Sequence, residues 1–457
     1  MNRRSFLLRS GGLGLAGSLA RLPLARTARA DETEDYRALV CVYLSGGMDN
    51  WDTVIPYDAT AYAEYERHRR SFLSAYTTPR DPSTLVPFAA GDSFGSRQFA
   101  LPSEMAGLVQ LYAEGKAAIV GNVGPLLEPV TRASYADQTA RLPSRLFSHN
   151  DQASTWQAGG PEGTTSGWGG RFMDALSSRN GAAEFGAITT GDNDLFVTGR
   201  STVPYQVSVD GASRILALSA MEEDFGSEAP AWLEVLRQHF RPEPGAGRSL
   251  LEQDVRSLAR RSFDANALYD RAQRGVPAFQ TLFPPSDAGA QLQAVARAIV
   301  ARSSLSAGRQ VFVIGLGGFD THSAQAQTLP MDQAGLAGGI VAFQRAMEEL
   351  GLDQQVTLFT ASEFGRTLAV NGDGTDHGWG GHQFVVGSAV RGGQVYGELP
   401  EATLGHALDA GGGRLIPSLS VEQYAAPLGR WFGLSPSELE LALPGLANFP
   451  SPLPSFV

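Results

Sequence analysis

Five short apolar runs, most of them stopped by glycine, constrain the fold of this chain more than any other feature. Ala38-Leu39-Val40-Cys41-Val42-Tyr43-Leu44 stops at Ser45-Gly46-Gly47, Ala117-Ala118-Ile119-Val120 at Gly121, and Val311-Phe312-Val313-Ile314 at Gly315. Val356-Thr357-Leu358-Phe359-Thr360 is the fourth, and Gln383-Phe384-Val385-Val386-Gly387 fits as a fifth. Such runs, without polar alternation, read as strands buried on both faces. Between them apolar residues recur three or four apart: Met105, Leu108, Val109 and Tyr112, then Ala288, Leu292, Val295, Ala296, Ile299 and Val300, then Ile340, Phe343, Met347 and Leu350. Strands alternating with helical patterns predict an α/β fold, a mostly parallel central sheet covered by helices on both faces.

With 43% hydrophobic and 18% charged residues over 457 positions, the chain is too apolar for disorder and long enough for one large α/β domain. We expect that domain over residues 31–457, with a helical subdomain inserted at about 210–285. Pro242-Glu243-Pro244-Gly245 and Pro284-Pro285-Ser286-Asp287 are breakers that bound helices there. Ser420-Val421-Glu422-Gln423 reads as a capping box opening a last helix, and Pro427 predicts that this helix is short or kinked.

Residues 1–30 read as an export signal: a basic start, a weakly apolar middle and the small-x-small end Ala28-Arg29-Ala30. Arg3-Arg4-Ser5-Phe6-Leu7 resembles the twin-arginine signal, whose export machinery would be the partner of this segment and would deliver the protein to the periplasm or beyond. No stretch reaches the 18 uninterrupted apolar residues of a transmembrane helix, so no integral membrane span is expected. Beyond residue 30 the chain has 30 basic against 47 acidic residues, a formal net charge of −17, which argues against nucleic-acid binding. A single cysteine, Cys41, excludes an intrachain disulfide framework and multi-thiolate metal sites. Oligomeric state is left open.

Functional residues of open parallel sheets lie beyond the carboxyl ends of strands. Leu44-Ser45-Gly46-Gly47-Met48-Asp49 offers the Asp49 carboxylate, as a metal ligand or as a loop cap. Gly315-Leu316-Gly317-Gly318-Phe319-Asp320-Thr321-His322 places Asp320 and His322 two apart, on one side of an extended segment. Ser362-Glu363-Phe364-Gly365-Arg366 offers Glu363 for a cation and Arg366 for Glu363 or for an anionic substrate group. The densest segment, Asp376-His377-Gly378-Trp379-Gly380-Gly381-His382, lets Asp376, His377 and His382 converge. A further segment, from Phe147 through Ser148, His149 and Asp151 to Ser154 and Thr155, supplies hydroxyls, a histidine and an acid; its serines serve equally as helix cap and helix residues. Acids mixed with imidazoles suit Zn²⁺ or Mn²⁺, as one ion or two.

These motifs, with the Arg3-Arg4 signal, resemble a bacterial family of exported proteins catalogued as domain of unknown function 1501, across nearly all of the chain beyond the signal. That family is grouped by fold with the alkaline phosphatase and sulfatase superfamily. The resemblance implies an alkaline phosphatase-like α/β domain with metal at the strand ends. On it Asp49 matches the carboxylate after the first strand, Asp320 and His322 the later Asp and His, and His382 the final histidine. Ser148 or Ser154 would be the nucleophile, although neither matches the family pattern cleanly, and Ser362-Glu363 stands where an adjacent Asp-His pair is usual. Two functions are therefore expected: hydrolysis of phosphate or sulfate esters, or a non-catalytic binding or assembly role on the same fold.

Overall fold

The computed structural model describes residues 35–457 apart from 192–193, 213–225, 227–228, 240–248 and 450–452. The signal assigned to residues 1–30 and parts of the stretch 210–285 lie outside the described residues. Within that stretch, helices run over Ala229–His239 and Leu250–Arg274.

The five expected strands form at their expected places, as β1 (Arg37–Leu44), β2 (Ala117–Gly124), β5 (Arg309–Leu316), β6 (Val356–Ala361) and β7 (Gly381–Val386). The sheet adds β3 (Ala187–Thr189), β4 (Tyr205–Ser208) and β8 (Val395–Gly397), for which the sequence gives no comparable run. Their order across the sheet is β8-β2-β7-β6-β1-β5-β3-β4. β1 lies at the centre, parallel to both β5 and β6. β7 runs antiparallel to β6 and β2. Its reversal has a consequence for function: β7 begins at the edge where β1, β5 and β6 end, so the segment entering β7 joins the loops leaving those strands.

Helices cover both faces, which is why β1, β2, β6 and β7 are buried along nearly their whole length. Ala38, Val40, Val42 and Leu44 of β1 pack on one face with the helices Ala106–Ala113, Asp287–Val300 and Gln325–Glu349, and Leu39, Cys41 and Tyr43 face the opposite side against the helices Trp168–Leu176 and Val421–Phe432. Each fully buried Val or Leu contributes about 1.5–3 kcal/mol, so the two layers account for the sheet's burial. The Ser420–Gln423 capping box is present at the start of Val421–Phe432. That helix continues through the buried Pro427 for 12 residues, longer than the proline predicts, because both sides of it pack into the core. The helical pattern read at 340–350 belongs to a 25-residue helix that starts at Gln325 and contains Pro330 in its second turn.

Candidate metal centre

The loop after β1 turns back on two glycines, Gly46 (φ 113°) and Gly47 (φ 85°), in backbone conformations that side chains rarely adopt. A Cβ at Gly46 would stand 2.2 Å from the amide nitrogen of Asp320, so glycine is what lets the β1 loop touch the loop after β5. The Gly46 N–H donates to Glu363 Oε1 at 2.8 Å, and its carbonyl accepts from Arg366 Nη1 at 2.9 Å. After β6 the chain folds into a hairpin, Arg366–Asn371 with Gly374–His377, which pairs Arg366 with His377. The hairpin sits on the β5 loop through the Thr375 N–H, which donates to Thr321 O at 3.0 Å. His149 is the first residue of the helix His149–Ala158.

These elements bring three side chains to one point. His149, Asp320 and His377 each offer a ligand atom, all within 4.8 Å of one another. His149 Nε2 is 3.5 Å from Asp320 Oδ2, and His377 Nε2 is 3.1 Å from Asp320 Oδ1. His322 joins them, its Nε2 3.1 Å from Asp320 Oδ1 and 2.8 Å from His377 Nε2. The far nitrogens are held by oxygens. His149 Nδ1 is 2.9 Å from Glu363 Oε1, and His377 Nδ1 is 2.8 Å from the carbonyl of Phe147. A carbonyl or ionised carboxylate only accepts, so Nδ1 donates in both rings; each Nε2 also faces an acceptor, Asp320, and in the neutral rings a cation between them would relieve the facing lone pairs. Arg366 donates from Nη1 to Asp320 Oδ1 at 2.8 Å.

The charges follow from these contacts. Burial alone would raise the Asp320 carboxyl, but the hydrogen bond and charge of Arg366, with His322 and His149, hold it below the usual carboxylate range. The hydrogen bond to Glu363 raises His149 against partial burial. Burial lowers His377, opposed by its bond to the Phe147 carbonyl. An ionised carboxylate beside neutral imidazoles is the state that ligates Zn²⁺ or Mn²⁺, so a metal ion would have to displace the proton that Glu363 favours on His149. Glu363 stands behind His149, on its Nδ1 side, and its Oε2 is buried with no hydrogen-bond partner.

The expected ligands divide into two groups. Asp320, His322, Glu363, Asp376 and His377 come together, Asp376 at the margin with Oδ1 3.7 Å from His322 Nδ1. Asp49 and His382 are engaged elsewhere. Asp49 is fully buried in a two-pronged pair with Arg69, and its oxygens also accept from Gln325 Nε2 at 2.6 Å and the Trp51 N–H at 3.0 Å. His382 is buried, its Nδ1 accepts from the Asn122 N–H at 3.0 Å, and burial pushes its pKa down to about 3. Arg366 is fully buried, with Nε on Thr375 Oγ1, Nη2 on Thr375 O and Nη1 shared between Gly46 O and Asp320. It braces a ligand where the sequence suggested a grip on substrate. Ser154 Oγ donates to Pro161 O at 2.8 Å. Ser148 precedes His149 at the helix start, half-buried, with Oγ 3.3 Å from Asp151 Oδ2. The sequence sets His149 among the hydroxyls of its segment and gives it no ligand reading; a histidine opening a helix is its only signal.

A mostly parallel sheet with acids and imidazoles gathered at its carboxyl edge defines an α/β protein with a candidate metal centre. The chain belongs to the family described as Protein of unknown function (DUF1501), which matches residues 36–435. Curated protein sequences give no match. Among solved structures it is similar to the C-terminal periplasmic domain of EcEptC from Escherichia coli in complex with Zn, at 12% identity over 89% of this chain and 84% of that one, TM-score 0.32. It is also similar to the PsFucS1 sulfatase from Pseudoalteromonas sp. (8% identity, 87% and 68% covered, TM-score 0.33) and to the lipoteichoic acid synthase LtaP from Listeria monocytogenes (7% identity, 88% and 74% covered, TM-score 0.33). Superpositions this loose carry no argument about the site.

Proposed function

We propose that this chain is an exported metal-dependent hydrolase of phosphate or sulfate esters, with one ion on His149, Asp320 and His377 and with His322 beside them. The observation that carries the reading is the pair of imidazoles whose Nδ1 atoms are tied to oxygens while both Nε2 atoms face one carboxylate. Zn²⁺ or Mn²⁺ bound there supplies Lewis acidity and a more acidic bound water or hydroxyl. The protein's own residues supply the rest. Arg366 fixes the direction of Asp320, and Glu363 fixes His149. The locked Asp49–Arg69 pair removes a ligand that a second ion would use. Ser148, adjacent to His149, is the hydroxyl suited to attack if the reaction is covalent. Export rests on the signal-like residues 1–30.

The non-catalytic binding reading is favoured by one observation, that Arg366 has no nitrogen facing outward to hold a substrate oxygen. A panel of aryl phosphates and aryl sulfates, assayed with the metal-loaded protein and its Asp320→Ala variant, separates the two. The hydrolase reading expects turnover of at least one ester, reduced more than about 100-fold by Asp320→Ala, because a bound ion contributes several kcal/mol to such reactions. Bound metal without turnover of any ester favours the binding protein.

A further inference from the structure

The loop before the helix His149–Ala158 holds a bulky residue in left-handed backbone, Phe147 at φ 71°. Such a conformation persists in an aromatic residue only where its surroundings over-determine it. At Phe147 they do. Its N–H donates to Gln152 Oε1, and the Nε2 of that fully buried glutamine donates to the Glu363 carbonyl at 3.3 Å. Its carbonyl accepts from His377 Nδ1 at 2.8 Å. Its ring lies under the guanidinium of Arg414, 5.3 Å from carbon to centroid, and Arg414 Nε donates to the carbonyl of His377 at 2.9 Å. The imidazole and the backbone of His377 are therefore held by Phe147 and by the arginine stacked on it.

We propose that Phe147 is a positioning residue of the metal centre: its left-handed backbone turns its carbonyl onto His377 Nδ1 and keeps the bare Nε2 facing Asp320. The inference rests on His377 being a metal ligand, as proposed above. The hydrogen bond at one imidazole nitrogen decides which nitrogen is left to bind metal. Misplacing the Phe147 carbonyl frees Nδ1 and lets Asp320 draw the proton to Nε2, where it competes with the metal. The backbone conformation matters here more than the ring. Glycine takes the same φ without strain, whereas β-branched valine resists it.

The test uses the full chain in four forms: wild type, Phe147→Gly, Phe147→Val and Phe147→Ala, the last so that a folding failure of the valine variant still leaves a comparison. Imidazole ¹⁵N spectra of the metal-free proteins at pH 8 report the His377 tautomer, and competition with a chelating dye reports Zn²⁺ affinity. We expect the Nδ1–H tautomer in wild type and Phe147→Gly, with Zn²⁺ affinities within about threefold of each other. In Phe147→Val we expect the Nε2–H form and about 10–100-fold weaker Zn²⁺ binding, the usual cost of losing a partner behind a ligand. Phe147→Ala should fall between them. A wild-type tautomer in Phe147→Val overturns the proposal, as does loss of that tautomer in Phe147→Gly, which would assign the effect to the ring. If the tautomers divide as expected while wild type binds no Zn²⁺, the positioning role stands and the metal reading falls.

Discussion

Residue by residue, an acid or histidine beyond a strand end can ligate metal or hold the fold, and its partners decide which. Asp49 shows the second outcome. Its partner Arg69 lies 20 residues away on the helix Ala59–Leu73, so nothing local to the Gly46-Gly47 turn reveals the pair. Asp49→Ala leaves Arg69 buried and uncompensated, and we expect it to cost about 3–5 kcal/mol of stability. Urea unfolding checks this, and the folded fraction should keep its metal. His382 was legible as a histidine among glycines, but its burial against the Asn122 N–H was not. Its pKa is about 3 in the folded chain against 6.5 unfolded, so below pH 6.5 the unfolded state binds more protons. Its stabilising contribution is therefore complete above pH 6.5 and is lost as pH falls toward 3, by at most about 1.4 kcal/mol per pH unit. Urea midpoints between pH 7 and pH 4.5 should fall more steeply for wild type than for His382→Asn, and equal slopes would remove His382 as the cause. His149 has the opposite sign. Its raised pKa stabilises below about pH 6.5 and loses effect as pH rises through the folded value.

Among the elements, the strands were legible because burial on both faces leaves an uninterrupted apolar run, as in β1 and β5. Direction was not. β7 is as buried as its neighbours, and its reversal follows the hairpin Arg366–Asn371 and Gly374–His377, which packs on the loop after β5. The same hairpin explains why His377 joins the centre while His382, five residues on and already inside β7, does not. The long helix Gln325–Glu349 was legible only in its second half, where Ile340, Phe343 and Met347 recur; its first half is glutamine- and glycine-rich and carries Pro330, which stands early enough in the helix that few backbone bonds are lost. The Gly46 turn carries the sharpest prediction at this scale. A methyl group there meets the Asp320 backbone at a positive φ, so Gly46→Ala should destabilise by more than about 1 kcal/mol and weaken metal binding together. Denaturation and chelator competition on one sample check this, and a loss of stability with unchanged metal affinity would separate the turn from the site.

Over the whole molecule, the described residues from Asp35 form one compact unit built around one large central sheet, with the candidate centre at its carboxyl edge. No helix among the described residues is long and apolar enough to cross a membrane. Fold class was legible because periodicity and glycine stops survive in any surroundings. The site was legible only in part, since a ligand set is a meeting of distant segments: residue 149 opens a helix, residue 320 follows β5 and residue 377 ends a hairpin. An ion that binds the folded chain alone stabilises it by mass action, so chelator should lower the thermal midpoint and Zn²⁺ or Mn²⁺ should restore it. The most direct test of the central claim is elemental analysis of protein purified without chelator, for wild type and for His149→Ala, Asp320→Ala and His382→Asn. The account predicts about one Zn²⁺ or Mn²⁺ per chain in wild type and His382→Asn, and none in His149→Ala or Asp320→Ala. Metal retained by the His149 and Asp320 variants, or a wild type that takes up no metal even when Zn²⁺ or Mn²⁺ is supplied, would contradict it.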